Sequence, residues 1–450
     1  MKRRTFLGVA GAAAAGSVLN GNVRAKETMG ISDANAIQEE PRSTPIVQNC
    51  DVCVLGGSCT GLFAAVRAAQ MGAKVAIVEK QNAFGGVATS GLVAIWHRLK
   101  DRKFKRTIIG GLTQEMIEQL TKINACSEKG NHGYTINTEE LKIELDKLVL
   151  NHAITPYLHT YYASPLIEDK KVKAIFIENK NGRQAIRAKV FIDATGDGDL
   201  SKDIGIPFAI RPGLQPPTTC SDIQGLPKNI HSLIKTHSKE FGLAKDHGWG
   251  CSIPGAKDVK MCAFTHVFNT DASDATQLTA AEIEGRRQVR AYMDIARKYG
   301  GENNNPSLLD LGSYIGVRET RSFTGNYVLT EEDVMSCKRF PDAIANGSYH
   351  IDVHDPKTGN FKFKEPRGDF YQIPLSTMVS KQADNVVMAG RMISTDRSAF
   401  GAIRVMVNLN QVGEAAGVTA ALAAADAKTV SEVDATSVRK QLAKLGAVII

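Results

Sequence analysis

Leu55-Gly56-Gly57-Ser58-Cys59-Thr60-Gly61 joins an apolar, β-branched run, CDVCVLGG, to TGLFAAVRAAQMG, whose apolar positions recur at helical spacing. The first run predicts a buried strand, the second a helix stopped at Gly72, and KVAIVEK beyond it a second strand. Strand, tight turn, helix and strand make one βαβ unit. Its turn matches the G-x-G-x-x-G dinucleotide loop except at the middle glycine, where Ser58 stands. Gly56 permits the tight turn and Gly61 the close packing of helix on strand. Ser58 is small enough to let backbone approach a phosphate, and its hydroxyl can donate to a phosphate oxygen at the helix start. Glu79, 23 residues after Gly56, ends the second strand at a spacing suited to accepting from ribose hydroxyls, and Lys80 beside it joins the cofactor-binding set.

A second glycine loop, KQNAFGGVATSGLV, follows at once, with Gly85, Gly86 and Thr89 among its small and hydroxyl-bearing residues. A nicotinamide-binding unit would run straight into its next helix. A further loop of bare backbone suits a longer ligand wrapped along its pyrophosphate, which points to non-covalent FAD.

The 450 residues, 43% hydrophobic and 23% charged, suffice for a large core and more than one domain. The net charge of +8 owes half its value to the first 25 residues, which hold Lys2, Arg3, Arg4 and Arg24 and no acid. The rest is nearly balanced, with basic residues scattered rather than interleaved with aromatics, which argues against a nucleic-acid groove. The cationic start, the short apolar run Phe6 to Leu19 and Val23-Arg24-Ala25 have the three parts of a secretory signal. Paired arginines before Thr5-Phe6-Leu7 resemble a twin-arginine signal and imply export to the periplasm; an ordinary secretion signal is the alternative. The apolar run is too short for a stable membrane span. Residues 26–48 read as a linker. Eight dispersed cysteines have neither a disulfide-scaffold pattern nor metal or iron–sulfur spacing, so no metal is expected, and Cys53 reads as a small apolar residue in the first strand.

Four segments in order, VLGGSCTGLFAAVRAAQMGAKVAIVEKQNAFGGVATSGLV, FIDATGDGDLSKDIGIPF, GVRETRSFTGNYVLTEEDV and NVVMAGRMISTDRSAFGAIRVMVNLNQVGEAAG, resemble the FAD-dependent oxidoreductase family related to heterodisulfide reductase-like and fumarate reductase-like flavoproteins. The resemblance implies an α/β fold: a Rossmann-like (GR2-type) FAD-binding domain, built from 49–205 and 376–426, with an inserted mixed α/β substrate domain at 206–375 and a C-terminal helix and tail at 427–450. It places Thr195, Gly196 and Asp197 beneath the cofactor, with Gly390 and Arg391 beside it. SAFGAIRVMVNLNQVGEAAGVTAALAAA reads as one long helix, and the resemblance sets its N-terminus, Gly401, Ala402 and Ile403, against the flavin ring, where the helix dipole favours negative charge. Arg404 follows, as a guanidinium for a substrate oxygen or as one half of a structural ion pair. Phe400 stands where the family often has histidine.

Candidate catalytic residues are Arg404, His97 and Arg318. His97, after Ala94-Ile95-Trp96, has the chemistry of a general base or simply packs beside the tryptophan. Arg318 and Glu319 follow an apolar stretch that favours at least one buried ion pair, and alternating apolar neighbours favour a strand at His266. The expected reaction is two-electron hydride transfer between a small polar organic substrate, an alcohol, sugar derivative or hydroxy acid, and flavin N5. The alternatives are fumarate reductase-like reduction of an activated C=C bond and a non-catalytic flavin-binding protein that only transfers electrons. A separate electron donor or acceptor is expected, and a homo-oligomer is possible.

Overall fold

Strand β1 (Ile46–Leu55), helix α1 (Cys59–Gln70) and β2 (Val75–Val78) form the βαβ unit as read from the sequence, with β1 and β2 parallel from Val52↔Val75 to Leu55↔Val78. The computed structural model describes residues 37, 39–244, 248–302, 304–354 and 361–450, and residues 44–450 form one compact unit. The candidate export signal at 1–25 and the first part of the linker lie outside the described residues, and Ile46–Gln48, expected in the linker, already belong to β1. Among the described residues no helix is long and apolar enough to cross a membrane.

After α2 (Gly111–Lys122) and α3 (Thr138–Asn151), the chain adds β3 (Thr155–Tyr157), β4 (Tyr161–Glu168), β5 (Lys171–Asn179) and β6 (Gly182–Asp193). Strands β4, β5 and β6 pair antiparallel in succession, and β6 runs on into the FIDATGDG segment. Residues 182–186 of β6 pair antiparallel with β5, while from Ala185 to Asp193 the strand runs parallel to β1 and its last three residues run parallel to a late strand. Its apolar end, Val190 to Ile192, is buried on both faces, as an interior parallel strand requires.

A four-stranded antiparallel sheet, ordered β8-β9-β7-β10, follows from β7 (Ser221–Gln224), β8 (Trp249–Ser252), β9 (Val259–Ala263) and β10 (Ser307–Leu311). The long helix α4 (Ala275–Tyr299) packs on it through Tyr292, Ile295 and Ala296 against Ile223 and Phe264, a second small core. His266 lies past the end of β9 rather than in a strand; its backbone is held at both ends by the Gln288 carboxamide, at 2.9 and 3.1 Å. Next come the paired strands β11 (Ile351–His354) and β12 (Phe361–Lys364). The late strand β13 (Val386–Met388) completes the parallel order β3-β2-β1-β6-β13.

The C-terminal helix expected to be continuous is two helices, α5 (Arg397–Ile403) and α6 (Met406–Asp426), with Val405 extended between them. In an unbroken helix the Ala402 carbonyl would accept from the Met406 N–H. Here the Tyr371 hydroxyl (2.9 Å) and Asn408 Nδ2 (3.2 Å) take that carbonyl, which releases the backbone to turn. Helix α6 lies directly on α1, because a Cβ at Gly413 or Gly417 would stand 2.1 Å from the carbonyls of Thr60 and Ala64. The two ends of the described chain thereby form one layer beside the parallel sheet.

Candidate active site

The glycine loop closes where β1 and β6 touch. Gly56 has φ +96°, and a Cβ there would meet the Ala194 carbonyl at 2.3 Å. Ser58 caps α1, its Oγ accepting from Gly61 N at 3.4 Å, which leaves its O–H proton available to a ligand. A cap of this kind satisfies one of the orphan amides of the first turn; those of Cys59 and Thr60 have no intrahelical acceptor. Glu79 holds the loop shut, accepting from Gly57 N at 2.6 Å and Gln81 N at 2.8 Å. The second glycine loop lies on the first through Gly85 N to Gly57 O, 2.8 Å. Thr89 stands behind it, donating to Phe84 O at 2.6 Å.

These loops open into a cavity of about 1130 Å³ at the C-terminal ends of the parallel strands. Gly56, Ser58, Glu79, Lys80, Gly85 and Gly86 line it from the first part of the chain. Thr195, Gly196 and Asp197 continue the wall after β6, and Gly390 and Arg391 after β13. Arg391 pairs with Asp197 across 194 residues, and its guanidinium covers Gly196, where a side chain would collide with it. Asp197 also accepts from Thr320 Oγ1 at 2.7 Å.

Five of the predicted cofactor residues do not line the cavity. Gly61 and Thr89 shape its wall from behind. Gly401, Ala402 and Ile403 form the last turn of α5, with Gly401 pressed on the Asp352 backbone, because the helix break moves the start of the long helix to Met406. The wall there is made by Arg404, Val405, Met406, Leu409 and Asn410.

His97, Arg318 and Arg404 all line the same cavity. Arg404 Nη2 pairs with Asp352 Oδ2 at 2.7 Å, and Tyr349 donates to the same oxygen at 3.2 Å. His354 Nε2 stands 3.6 Å from Asp352 Oδ1, an ion-pair separation longer than a formed hydrogen bond. Burial opposes ionisation of Asp352, but Arg404 and His354 outweigh it and hold the carboxyl well below the usual carboxylate range. Burial, with Arg404 adding to it, pulls His97 down to about 3; its ring packs edge-on to Tyr349, centroids 4.4 Å apart. His354 is lowered too, chiefly by burial, with Asp352 opposing. Arg318 donates to Thr218 Oγ1 at 2.6 Å and to the Pro216 carbonyl. The buried ion pair expected near it belongs to Glu319 and Arg211, 3.1 Å apart.

Asp352 and His354 escaped the sequence reading, although His350-Ile351-Asp352-Val353-His354 alternates polar and apolar residues, as one polar face of a strand does. Asn410 and Tyr314, also on the cavity wall, left no such signal.

A doubly wound parallel sheet with glycine loops at the carboxyl ends of its strands defines a dinucleotide-binding flavoenzyme fold. The chain belongs to the FAD dependent oxidoreductase family, whose model matches residues 51–442. It is 31% identical over 179 residues to dihydrolipoyl dehydrogenase of Trypanosoma brucei brucei, covering 37% of this chain and 33% of that one. The chain thus spans about a third of that relative. Among solved structures it resembles a geranylgeranyl bacteriochlorophyll reductase-like protein from Thermoplasma acidophilum (TM-score 0.45, 12% identity, 88% of this chain and 83% of that one). It also resembles the flavin-dependent brominase Bmp2 (TM-score 0.43, 10% identity, 88% and 83%). FAD is the cofactor of this oxidoreductase.

The residues present fit that group: a capped helix start and two apposed glycine loops offer amides to phosphates, and Asn410 offers an unpartnered buried carboxamide. Replacing Ser58 with glycine is expected to leave FAD bound at wild-type or higher affinity, because a glycine cap costs only a few tenths of a kcal/mol. FAD fluorescence on dilution of the holoprotein measures this, and complete loss of cofactor would refute the loop assignment.

Proposed function

We propose that the protein is an exported, periplasmic flavoenzyme that oxidises a small polar substrate bearing a hydroxyl group, an alcohol, sugar derivative or hydroxy acid. The observation that carries this reading is the Asp352–His354 pair, fixed by Arg404 and Tyr349, in the same cavity as the glycine loops. Bound FAD supplies a two-electron acceptor for the hydride. The protein's part is to hold the substrate oxygen and remove its proton. His354 lines the cavity with its Nε2 on the Asp352 side, and an imidazole beside a carboxylate has the chemistry to take the hydroxyl proton. We assign this role to His354 in preference to His97, because His354 stands beside the Asp352 carboxylate that would stabilise its protonated form, whereas the His97 ring packs on Tyr349. Arg318, on the same cavity wall, favours an electron-rich substrate oxygen.

The alternative, reduction of an activated C=C bond as in fumarate reductase-like flavoproteins, asks Arg404 to clamp or protonate the substrate, whereas its Nη2 is engaged by Asp352. A non-catalytic electron carrier has no use for a charged pair on the wall of the cofactor cavity. In this reading residues 206–375 cover the substrate, and a separate electron acceptor reoxidises the enzyme. The test is to purify the chain from Lys26 onward, confirm FAD in the supernatant after acid release, and add substrates anaerobically. Bleaching of the visible flavin bands by hydroxyl compounds supports the reading. Bands that respond only when the reduced enzyme meets an activated alkene would replace it with the alternative.

A further inference from the structure

Helix α6 carries three buried carboxamides in its first two turns, and two are engaged with protein. Asn408 Nδ2 donates to Tyr371 Oη and the Ala402 carbonyl, at 3.1 and 3.2 Å. Gln411 takes Asn346, accepting from its N–H at 3.1 Å and donating to its carbonyl at 2.9 Å. Asn410, between them, is 0% exposed, yet neither its Oδ1 nor its Nδ2 has a hydrogen-bond partner among the described residues. A buried amide left with both groups unmet is costly, and native proteins seldom carry one without a reason. Asn410 is also the member of the trio that lines the cavity.

Its position narrows what meets it. Asn410 precedes by three residues Gly413, which touches the Thr60 carbonyl, so it shares the α6 face turned to the start of α1. Met406 and Leu409 of the same helix supply apolar wall on one side of it, and Val93 and Ile95 line the same cavity. A ligand group with flat apolar faces and an in-plane edge that both donates and accepts fits these surroundings. The pyrimidine edge of an isoalloxazine ring, with two carbonyls flanking an N–H, is such a group. We propose that Asn410 is a cofactor-positioning residue that binds this edge, its Nδ2 donating to a ring carbonyl and its Oδ1 accepting from the ring N–H. The inference rests on FAD as the cofactor and is independent of which substrate the enzyme oxidises.

The contact has a redox consequence. Reduction concentrates negative charge on the pyrimidine carbonyls, so the donor from Asn410 holds the reduced form more tightly than the oxidised one. Asn410→Leu, which keeps the volume and removes both polar atoms, is expected to weaken FAD retention by about tenfold or more, read by fluorescence on dilution of the holoprotein. It should also lower the two-electron midpoint potential by about 30 mV for each tenfold by which the loss for the reduced form exceeds that for the oxidised. Infrared difference spectra with carbonyl-labelled flavin should show a ring C=O stretch moving to higher frequency. Weakened retention with an unchanged potential and unchanged carbonyl bands would place the carboxamide on the ribityl chain or phosphates and overturn the proposal. So would no change in any of the three. Asn410→Asp preserves shape and folding should the leucine variant fail to accumulate; it replaces the donor with a negative charge, so a wild-type potential in that variant overturns the proposal by itself.

Discussion

Arg67→Met is expected to destabilise the protein by about 3–5 kcal/mol at pH 8, the usual cost of stripping a buried charge of its partner. Arg67 and Glu414 are each 1% exposed. Both Nε (2.8 Å) and Nη2 (2.5 Å) of Arg67 reach Glu414 Oε2, which also accepts from Leu112 N at 3.3 Å. One carboxylate oxygen therefore ties together α1, α2 and α6, elements that are up to 347 residues apart in sequence and that frame the glycine loop. Burial pushes the Glu414 carboxyl up to about 7, with Arg67 pulling against it. A carboxyl raised in the fold contributes its stability fully below its unfolded value, near 4.5, and loses it as pH rises through the folded value. Without Arg67 the folded value climbs further, so the penalty of the single variant should grow toward alkaline pH and shrink at pH 5.5. Urea unfolding at both pH values measures this. Arg67→Met combined with Glu414→Leu should recover most of the loss, because an apolar pair of similar volume replaces a buried ion pair at little cost. A single variant as stable as the wild type at pH 8 would show that the pair is not a strap at all.

That ion pair also marks where sequence reading stops. The βαβ unit was legible because its signals are local: apolar period, glycine, and an acid at a fixed distance all lie between residues 50 and 80. The return of the chain at 195–197 and 390–391 was legible only through the family resemblance, since a short apolar strand ending in small residues is by itself equally a strand followed by a plain turn. Arg67 stood in plain view as a charge inside TGLFAAVRAAQMG, but nothing near it names Glu414. The break between α5 and α6 was hidden for the same cause. Ala402 to Met406 contains no proline or glycine after Gly401, and the turn exists because Tyr371 and Asn408 claim a carbonyl. Moving that helix start by a few residues took Gly401, Ala402 and Ile403 off the cavity wall and put Asn410 on it. The Arg404 side of the cavity depended most on distant partners, because its ion pair forms only when β11 brings Asp352 to it.

His354→Gln is expected to slow anaerobic flavin bleaching by substrate about 10²–10⁴-fold, the usual range for loss of a positioned general base. The FAD spectrum and retention should stay as in the wild type, since no glycine-loop contact involves His354. In the wild type the rate falls when His354 becomes protonated, and burial sets that limb below the ordinary histidine range. The proton-accepting form should therefore persist into mildly acidic buffer, and His354→Gln should abolish the limb. Asp352→Asn tests the positioning partner separately. The carboxylate opposes the downward pull on His354, and Arg404 beside it reinforces that pull. Neutralising Asp352 thus leaves a weaker base beside an uncompensated guanidinium. The limb should move further to the acid side while the plateau rate drops, a pair of changes that simple loss of packing does not produce. His97→Gln should cost no more than a few-fold and leave the limb where it is, because a ring already neutral at every working pH has no titration to lose. If His97→Gln abolishes the limb and His354→Gln does not, the proton goes to His97 after all, and the Asp352–Arg404 pair is part of the wall rather than of the chemistry.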